Sequence, residues 1–225
     1  MIVENAKGIA WDLDGTLIDS FGIFEEVLLE CVEGSAYPLP TQEMMRHNYH
    51  GSLNETIGNI LGISPGAELD IVVGSFLAKQ ERHYGDNLDT HLFPDAAKLA
   101  QRAAKLAIPQ SLITNRSHEG RGTASPHHIV ANTVLTSCIQ NVYAGDEVTH
   151  RKPDRRCLDA WLEEKQISPE GLIVIGDQFV DAQLALNLGA RALLVERGNP
   201  IPHMDELAGH PGITVVSSLD DITFA

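Results

Sequence analysis

The sequence predicts an α/β fold: a doubly wound parallel sheet interrupted, right after its first strand, by a block made only of helices. Three observations carry this. Short apolar runs of strand character alternate with helical patterns from about residue 89 onward, which is the order that builds a parallel sheet. Residues 20–88 show helical spacing alone. Leu172-Ile173-Val174-Ile175 is an unbroken apolar run, as expected of a central parallel strand covered on both faces.

Taken in order, Gly8 to Trp11 reads as the first strand, ending in Asp12-Leu13-Asp14-Gly15-Thr16. Phe21, Phe24, Val27, Leu28 and Cys31 fall at helical spacing, and Gly34 with Pro38-Leu39-Pro40 ends that helix. Thr41 is placed to cap a second helix through Met44 and Met45. Ser52-Leu53-Asn54-Glu55 matches a capping box before Ile57 to Leu61. A longer helix is expected from Glu68 to about Tyr84. Phe93-Pro94-Asp95 opens a helix to Leu106, Pro109 to Thr114 reads as a strand, and a helix is expected around His128 to Leu135. Asn141 to Ala144 is a short strand and Pro153 to Lys165 a helix. The Leu172 strand ends in Gly176-Asp177, a helix follows to Gly189, and Ala192 to Val195 and Ile213 to Val216 complete the strands.

Composition narrows the function classes. The 225 residues suffice for a large core without disulfides or metal staples. With 31 acids against 16 Lys plus Arg, the formal net charge is −15, which repels nucleic-acid phosphates and anionic membrane surfaces. Neither partner is expected. Cys31, Cys138 and Cys157 are odd in number and lack CxxC spacing, so they read as buried thiols in a reducing compartment. No signal peptide and no apolar run of 18 residues is visible, so cytoplasmic residence is expected, as a monomer or weak homodimer.

The chemistry sits at strand ends. Asp12 and Asp14 are two apart, and in a regular strand their side chains point to the same side. Gly15 allows a sharp turn behind them. Two acids held together repel, which calls for a bound cation, a shared proton, or both. Thr114-Asn115, Lys152-Pro153 and Gly176-Asp177, with Asp181 four residues on, end later strands or follow them closely. In a parallel sheet these ends converge on one edge. Hard oxygen ligands suit Mg²⁺. A lysine and a hydroxyl suit phosphoryl oxygens. One carboxylate is fit to attack phosphorus and a second to move protons. The ten histidines, His127-His128 included, show no metal-ligand spacing, and none is expected to ligate.

This ordered set resembles the haloacid dehalogenase superfamily of phosphotransferases over nearly the whole chain, and its phosphoglycolate phosphatase-like members in having a helical cap after the first strand. The resemblance implies a Rossmann-like core at 1–19 and 89–225 and a cap at 20–88. It implies Asp12 as nucleophile, Asp14 as general acid/base, and Thr114 and Lys152 as holders of the phosphoryl oxygens. Mg²⁺ would be bound by Asp12, the Asp14 backbone carbonyl and Asp177, with Asp181 supporting or ligating it. Thr16, Asn115 and Arg116 join the expected substrate-binding residues. His47, Tyr49 and His50, in the turn where helical caps carry a specificity loop, complete them. Gln178 and Arg116 depart from the commonest family pattern, and Arg151 is a rival phosphate ligand to Lys152.

The expected activity is hydrolysis of a small phosphorylated metabolite, a sugar- or polyol-phosphate-like monoester. A phosphomutase of the β-phosphoglucomutase type is the nearest rival, and Thr16, where a valine would favour transfer, leans toward hydrolysis. A dehalogenase would have no use for Asp14. A phospho-receiver would place its acid pair ahead of a phosphorylated Asp on a later strand.

Overall fold

In the computed structural model, residues 1–49, 52–85, 88–198, 201, 203–207 and 209–225 are described. The chain divides into two compact units, Met1–Asp19 with Leu88–Ala225, and Ser20–Asn87. It begins with β1 (Ile2–Val3) and β2 (Gly8–Trp11). The second unit follows as α1 (Ser20–Val32), α2 (Gln42–Asn48), α3 (Leu53–Leu61) and α4 (Ala67–Gly85). The first unit resumes with α5 (Pro94–Lys105), β3 (Gln110–Ile113), α6 (Pro126–Ala131), β4 (Asn141–Tyr143), α7 (Asp159–Lys165), β5 (Leu172–Gly176), α8 (Phe179–Leu188), β6 (Arg191–Val195), β7 (Ile213–Val216) and β8 (Thr223–Phe224).

Six strands form one sheet in the order β4-β3-β2-β5-β6-β7, every pair parallel. The chain winds outward from β2 in both directions, so β2 with its neighbours β3 and β5 is the topological switch point, where such sheets bind ligands at their carboxyl ends. All residues of β2, β3 and β5 are buried. Their one large polar edge is satisfied: Trp11 Nε1 donates to Gln110 Oε1 at 2.9 Å, and Gln110 Nε2 donates to the Ala100 carbonyl at 3.0 Å. Ala10, Val174, Leu158, Trp161, Leu184 and Leu194 share one core cluster. Burying such side chains stabilises the fold by about 1.5–3 kcal/mol each for the larger ones.

In the helical unit the two cap motifs form as the residues dictate. Thr41 Oγ1 accepts from the Met44 amide, and Ser52 with Glu55 closes a reciprocal capping box at α3. Phe24 packs between Tyr49 and Phe76, with ring centroids 5.0 and 5.3 Å away.

Three expectations change. The helix expected over Pro153 to Lys165 is only α7, preceded by a single 3-10 turn at Arg155–Cys157. The Asp154 side chain accepts from the Arg156 amide at 3.0 Å and starts that turn. A capping residue placed there ends one local geometry before the next begins. The helix expected around His128 to Leu135 is split into α6 and a 3-10 turn at Val134–Ser137. Thr133 between them is extended, its Oγ1 donating to the Ile129 carbonyl at 2.8 Å. Cys31 is half-buried, whereas Cys138 and Cys157 are buried as expected, and all three are free thiols. The sheet of β1 with β8, also parallel, had no counterpart in the pattern. Among the described residues no helix is long and apolar enough to cross a membrane.

Candidate active site

Each central strand delivers one polar group to the carboxyl edge of the sheet. Asp12 follows β2, Thr114 follows β3 and Asp177 follows β5. The Asp12 amide continues the ladder by donating to the Ile175 carbonyl at 2.8 Å. Gly15 is required behind the acid pair. Its φ is +74°, and a Cβ there would lie 2.2 Å from Asp177 Oδ2. Gly176 is required for the same reason on β5, where a Cβ would lie 2.2 Å from Asp181 Oδ2. Both glycines let carboxylates approach the backbone more closely than any side chain permits.

Lys152 joins the strands' groups from the loop after β4. Its Nζ donates to Asp12 Oδ1 at 2.5 Å and to Asp181 Oδ1 at 2.7 Å. Asp181 sits in the first turn of α8 and is fully buried. Its other oxygen accepts from the Gln178 amide at 3.1 Å. Asp177 accepts from the Thr16 hydroxyl at 3.1 Å. Carboxylate oxygens of Asp12, Asp177 and Asp181 all lie within 4.8 Å of one another.

Three carboxylates therefore share one ammonium. Burial pushes Asp12 up to about 7, with Asp181 and Asp14 adding repulsion that Lys152 only partly offsets. Asp177 is raised for the same reasons, burial first and then Asp12 and Asp181. Burial works to lower Lys152, but Asp12 and Asp181 outweigh it and hold the ammonium charged. With all three acids ionised the group carries two uncompensated negative charges. A divalent cation with a preference for oxygen ligands fits both the charge and the donor set.

Asp14 is not part of that cluster. Its carboxylate is held by Arg116, whose Nε donates to Oδ2 at 3.0 Å and whose NH2 donates to Oδ1. This two-pronged pairing is the geometry guanidinium favours with carboxylate. A third donor, NH1, reaches the Ala124 carbonyl at 2.9 Å. Arg116 was expected as a substrate-binding residue, and here it grips an acid. Thr114 accepts from the Arg116 amide at 3.0 Å and is buried. Asn115 Nδ2 donates to the Lys152 carbonyl at 3.3 Å, tying the two loops. Thr16 is fully buried and its hydroxyl serves Asp177. Arg151 Nε donates to the Gly145 carbonyl at 2.5 Å, while it is Lys152 that enters the carboxylate cluster.

Of the three expected residues in the helical unit, His47 is exposed near the end of α2. The Tyr49 hydroxyl donates to Ser20 Oγ at 3.3 Å, and its ring lies 5.2 Å, edge-on, from that of Phe21. His50 lies outside the described residues.

Sequence reasoning missed two features around this site. Arg197 donates from NH1 to both oxygens of Asp95, at 2.9 and 2.7 Å, and from NH2 to the Thr16 carbonyl at 3.1 Å. It thereby braces the loop behind the acid pair. His118, His127 and Glu147 also converge. Both groupings join residues far apart in sequence, and no local spacing signals them.

The family model described as haloacid dehalogenase-like hydrolase matches residues 9–195. Among curated proteins the chain is similar to a phosphoglycolate phosphatase of Aliivibrio fischeri, 24% identical over 200 residues, covering 87% of this chain and 86% of that protein. A phosphoglycolate phosphatase of Rhodobacter capsulatus is 25% identical over 221 residues, covering 92% of this chain and 96% of the other. Among solved structures, CbbY from Rhodobacter sphaeroides in complex with xylulose-(1,5)bisphosphate superposes with a TM-score of 0.70 at 16% identity, covering 97% of each chain.

Proposed function

The chain belongs to the haloacid dehalogenase-like hydrolase family and is a phosphatase of it, and we propose that it hydrolyses a small sugar- or polyol-phosphate-like monoester through an aspartyl-phosphate on Asp12. The observation that carries the reading is the set of three carboxylates at the switch point of the sheet, Asp12 and Asp181 buried and bonded to the Lys152 ammonium and Asp177 half-buried beside them. An Asp12 oxygen attacks phosphorus and the bond to the leaving oxygen breaks, while Asp14 supplies that oxygen's proton. Asp14 then takes a proton from the water that attacks phosphorus, the Asp12–phosphorus bond breaks, and inorganic phosphate leaves. Lys152 and Thr114 hold the non-bridging oxygens. Asp12, Asp177 and the Asp14 backbone carbonyl would hold Mg²⁺, with Asp181 beside it. Bound there, it offsets the charge between the nucleophile and the phosphoryl oxygens.

Substrate class follows from the helical unit, which we read as a cap that meets the leaving group. Residues 20–90 hold eleven acids against Arg46, Lys79 and Arg82. Each of the three cations is engaged inside the unit. The Arg46 guanidinium lies 4.5 Å from the Phe21 ring centroid, Lys79 Nζ donates to the Glu30 carbonyl at 2.5 Å, and Arg82 pairs with Glu30. A surface of this sign disfavours leaving groups with further phosphates or carboxylates. His47, Tyr49 and His50 are the cap residues assigned here to hydrogen bonding and stacking against an uncharged one.

The names of the curated relatives favour a second reading, phosphoglycolate itself. Phosphate release with Mg²⁺ over a panel of sugar phosphates, polyol phosphates, phosphoglycolate and nucleotides separates the two by kcat/KM. No release from any monoester, or release indifferent to EDTA, overturns the phosphatase mechanism. A clear preference for phosphoglycolate overturns only the substrate class.

A further inference from the structure

Besides the carboxylate cluster, the described residues hold one other group able to ligate a metal: His118, His127 and Glu147, each with a ligand atom within 4.8 Å of the others. They come from two connections, His118 and His127 from the loop and the start of α6 that follow β3, and Glu147 from the loop after β4. His127 is the second residue of α6, behind Pro126. Its Nε2 faces both oxygens of Glu147, at 2.9 and 2.7 Å. The rings of His118 and His127 meet edge-on with centroids 4.8 Å apart.

The two loops are already stitched together without a metal. The amides of His118 and Glu119 donate across to the Asp146 carboxylate at 2.7 and 2.8 Å, and within the second loop the Ala144 amide donates to Glu147 Oε2 at 3.2 Å. The ligand-bearing residues are therefore held near one another before any ion arrives, and little ordering is left for binding to supply. Ser125 Oγ lies 2.6 Å from His118 Nδ1. A hydroxyl or carboxylate on one ring nitrogen is what orients an imidazole whose other nitrogen ligates.

The donor set differs in kind from that of the buried cluster. Two imidazoles and one carboxylate suit Zn²⁺ and its first-row neighbours, whereas Mg²⁺ takes oxygen. Metal–ligand bonds of about 2.0–2.1 Å set tetrahedral donors roughly 3.3 Å apart, so His127 and Glu147 need part only slightly from their present contact. Both are partly exposed, with side chains 41% and 37% accessible, which leaves room for water as the fourth ligand.

We propose that His118, His127 and Glu147 form a second metal site, for Zn²⁺ or a similar transition cation, distinct from the oxygen cluster around Asp12. The site bridges the loop that carries Arg116, so the ion fastens the segment that grips Asp14. This proposal stands whether or not the substrate class above is right.

The test is competition for Zn²⁺ between the purified protein and a chromophoric chelator, with Mg²⁺ in large excess so that oxygen sites are filled. Wild type should bind a single equivalent. His127→Ala and Glu147→Gln should each weaken it at least about tenfold, with melting temperature and Mg²⁺-dependent turnover, both measured without Zn²⁺, preserved. X-ray absorption at the zinc edge should show nitrogen as well as oxygen ligands in wild type. Equal affinity in wild type and both variants, displacement of Zn²⁺ by Mg²⁺, or an all-oxygen shell would overturn the site. Glu147→Gln keeps the size of the side chain, so a folding failure of His127→Ala leaves the question decidable.

Discussion

Two buried carboxylate–cation pairs in the sheet-bearing unit look alike on paper and behave oppositely. Asp12 pairs with Lys152, and Asp95 pairs with Arg197. Burial raises both acids, yet Asp12 ends near 7 while Asp95 ends below its ordinary value. The difference is supply of donors. Asp95 receives both bonds from Arg197, the amides of Ala96 and Leu219 at 2.8 Å each, and the Ser218 hydroxyl at 3.1 Å. Asp12 shares a single ammonium with Asp181 and faces Asp177 as well. A carboxylate that is over-supplied holds structure together. One that is under-supplied is left wanting a cation or a reacting group.

The sharpest way to break the comparison is to neutralise each acid in turn. Asp12→Asn should cut phosphate release at least about 10³-fold, because the nucleophile is gone. Its melting temperature should hold or rise, since a crowded buried charge is removed. If it destabilised the fold as Asp95 does, the contrast would collapse. Asp95→Asn should cost about 3 kcal/mol in urea titration, leaving the guanidinium of Arg197 short of its partner. Turnover per folded molecule should fall far less than for Asp12→Asn.

The two acids should also pull stability in opposite directions with pH. In metal-free protein the folded state keeps the Asp12 proton to about pH 7, whereas an ordinary aspartate loses it near 3.8. The folded state thus binds more protons in that window, and stability falls as pH rises from about 4 to 7. Asp95 is held below 3.8, so its contribution is present above that pH and is lost on further acidification. Urea melts in EDTA should show both arms. Asp12→Asn should shrink the upper one, to which Asp177 also contributes, and Asp95→Asn should flatten the acidic one.

A smaller effect concerns Arg116. Arg116→Gln should lower kcat about tenfold with KM nearly unchanged, because the guanidinium contacts the proton-transfer acid. A rise in KM with kcat intact would instead make Arg116 a substrate ligand, as its place beside Thr114 and Asn115 first suggests.

Much of this was legible in the chain. An apolar run as continuous as Leu172 to Ile175 has few places to be other than a central strand, and Ser52 with Glu55 spells its own cap. Asp12, Thr114 and Asp177 fall just past strand ends, so a parallel sheet gathers them, while Lys152 is carried in by the loop after β4. Harder to read was anything decided by partners distant in sequence. Arg116 reaches Asp14 across 102 positions and Arg197 reaches Asp95 across the same span. His118, His127 and Glu147 meet through loop geometry that no spacing encodes. The two-residue strands β1 and β8 are too short for any period to register, and the Asp154 turn overrides the helical pattern of its neighbours.

The junction where the helical unit is spliced in has a consequence for how such a protein can change. The Asp19 amide donates to the His91 carbonyl at 2.8 Å, Ile18 and Leu92 bridge antiparallel, and the Phe93 amide donates to the Leu17 carbonyl at 2.9 Å. The exit and re-entry of the chain are thus clasped by the sheet-bearing unit's own backbone. For a loop whose ends are already fastened, each doubling of its length costs only about 0.6 kcal/mol of closure entropy. The clasp makes the insertion a cassette. Residues 20–87 are open to lengthening, repacking or exchange for another helical graft, while the socket that holds Asp12, Lys152 and Asp177 registers little of it.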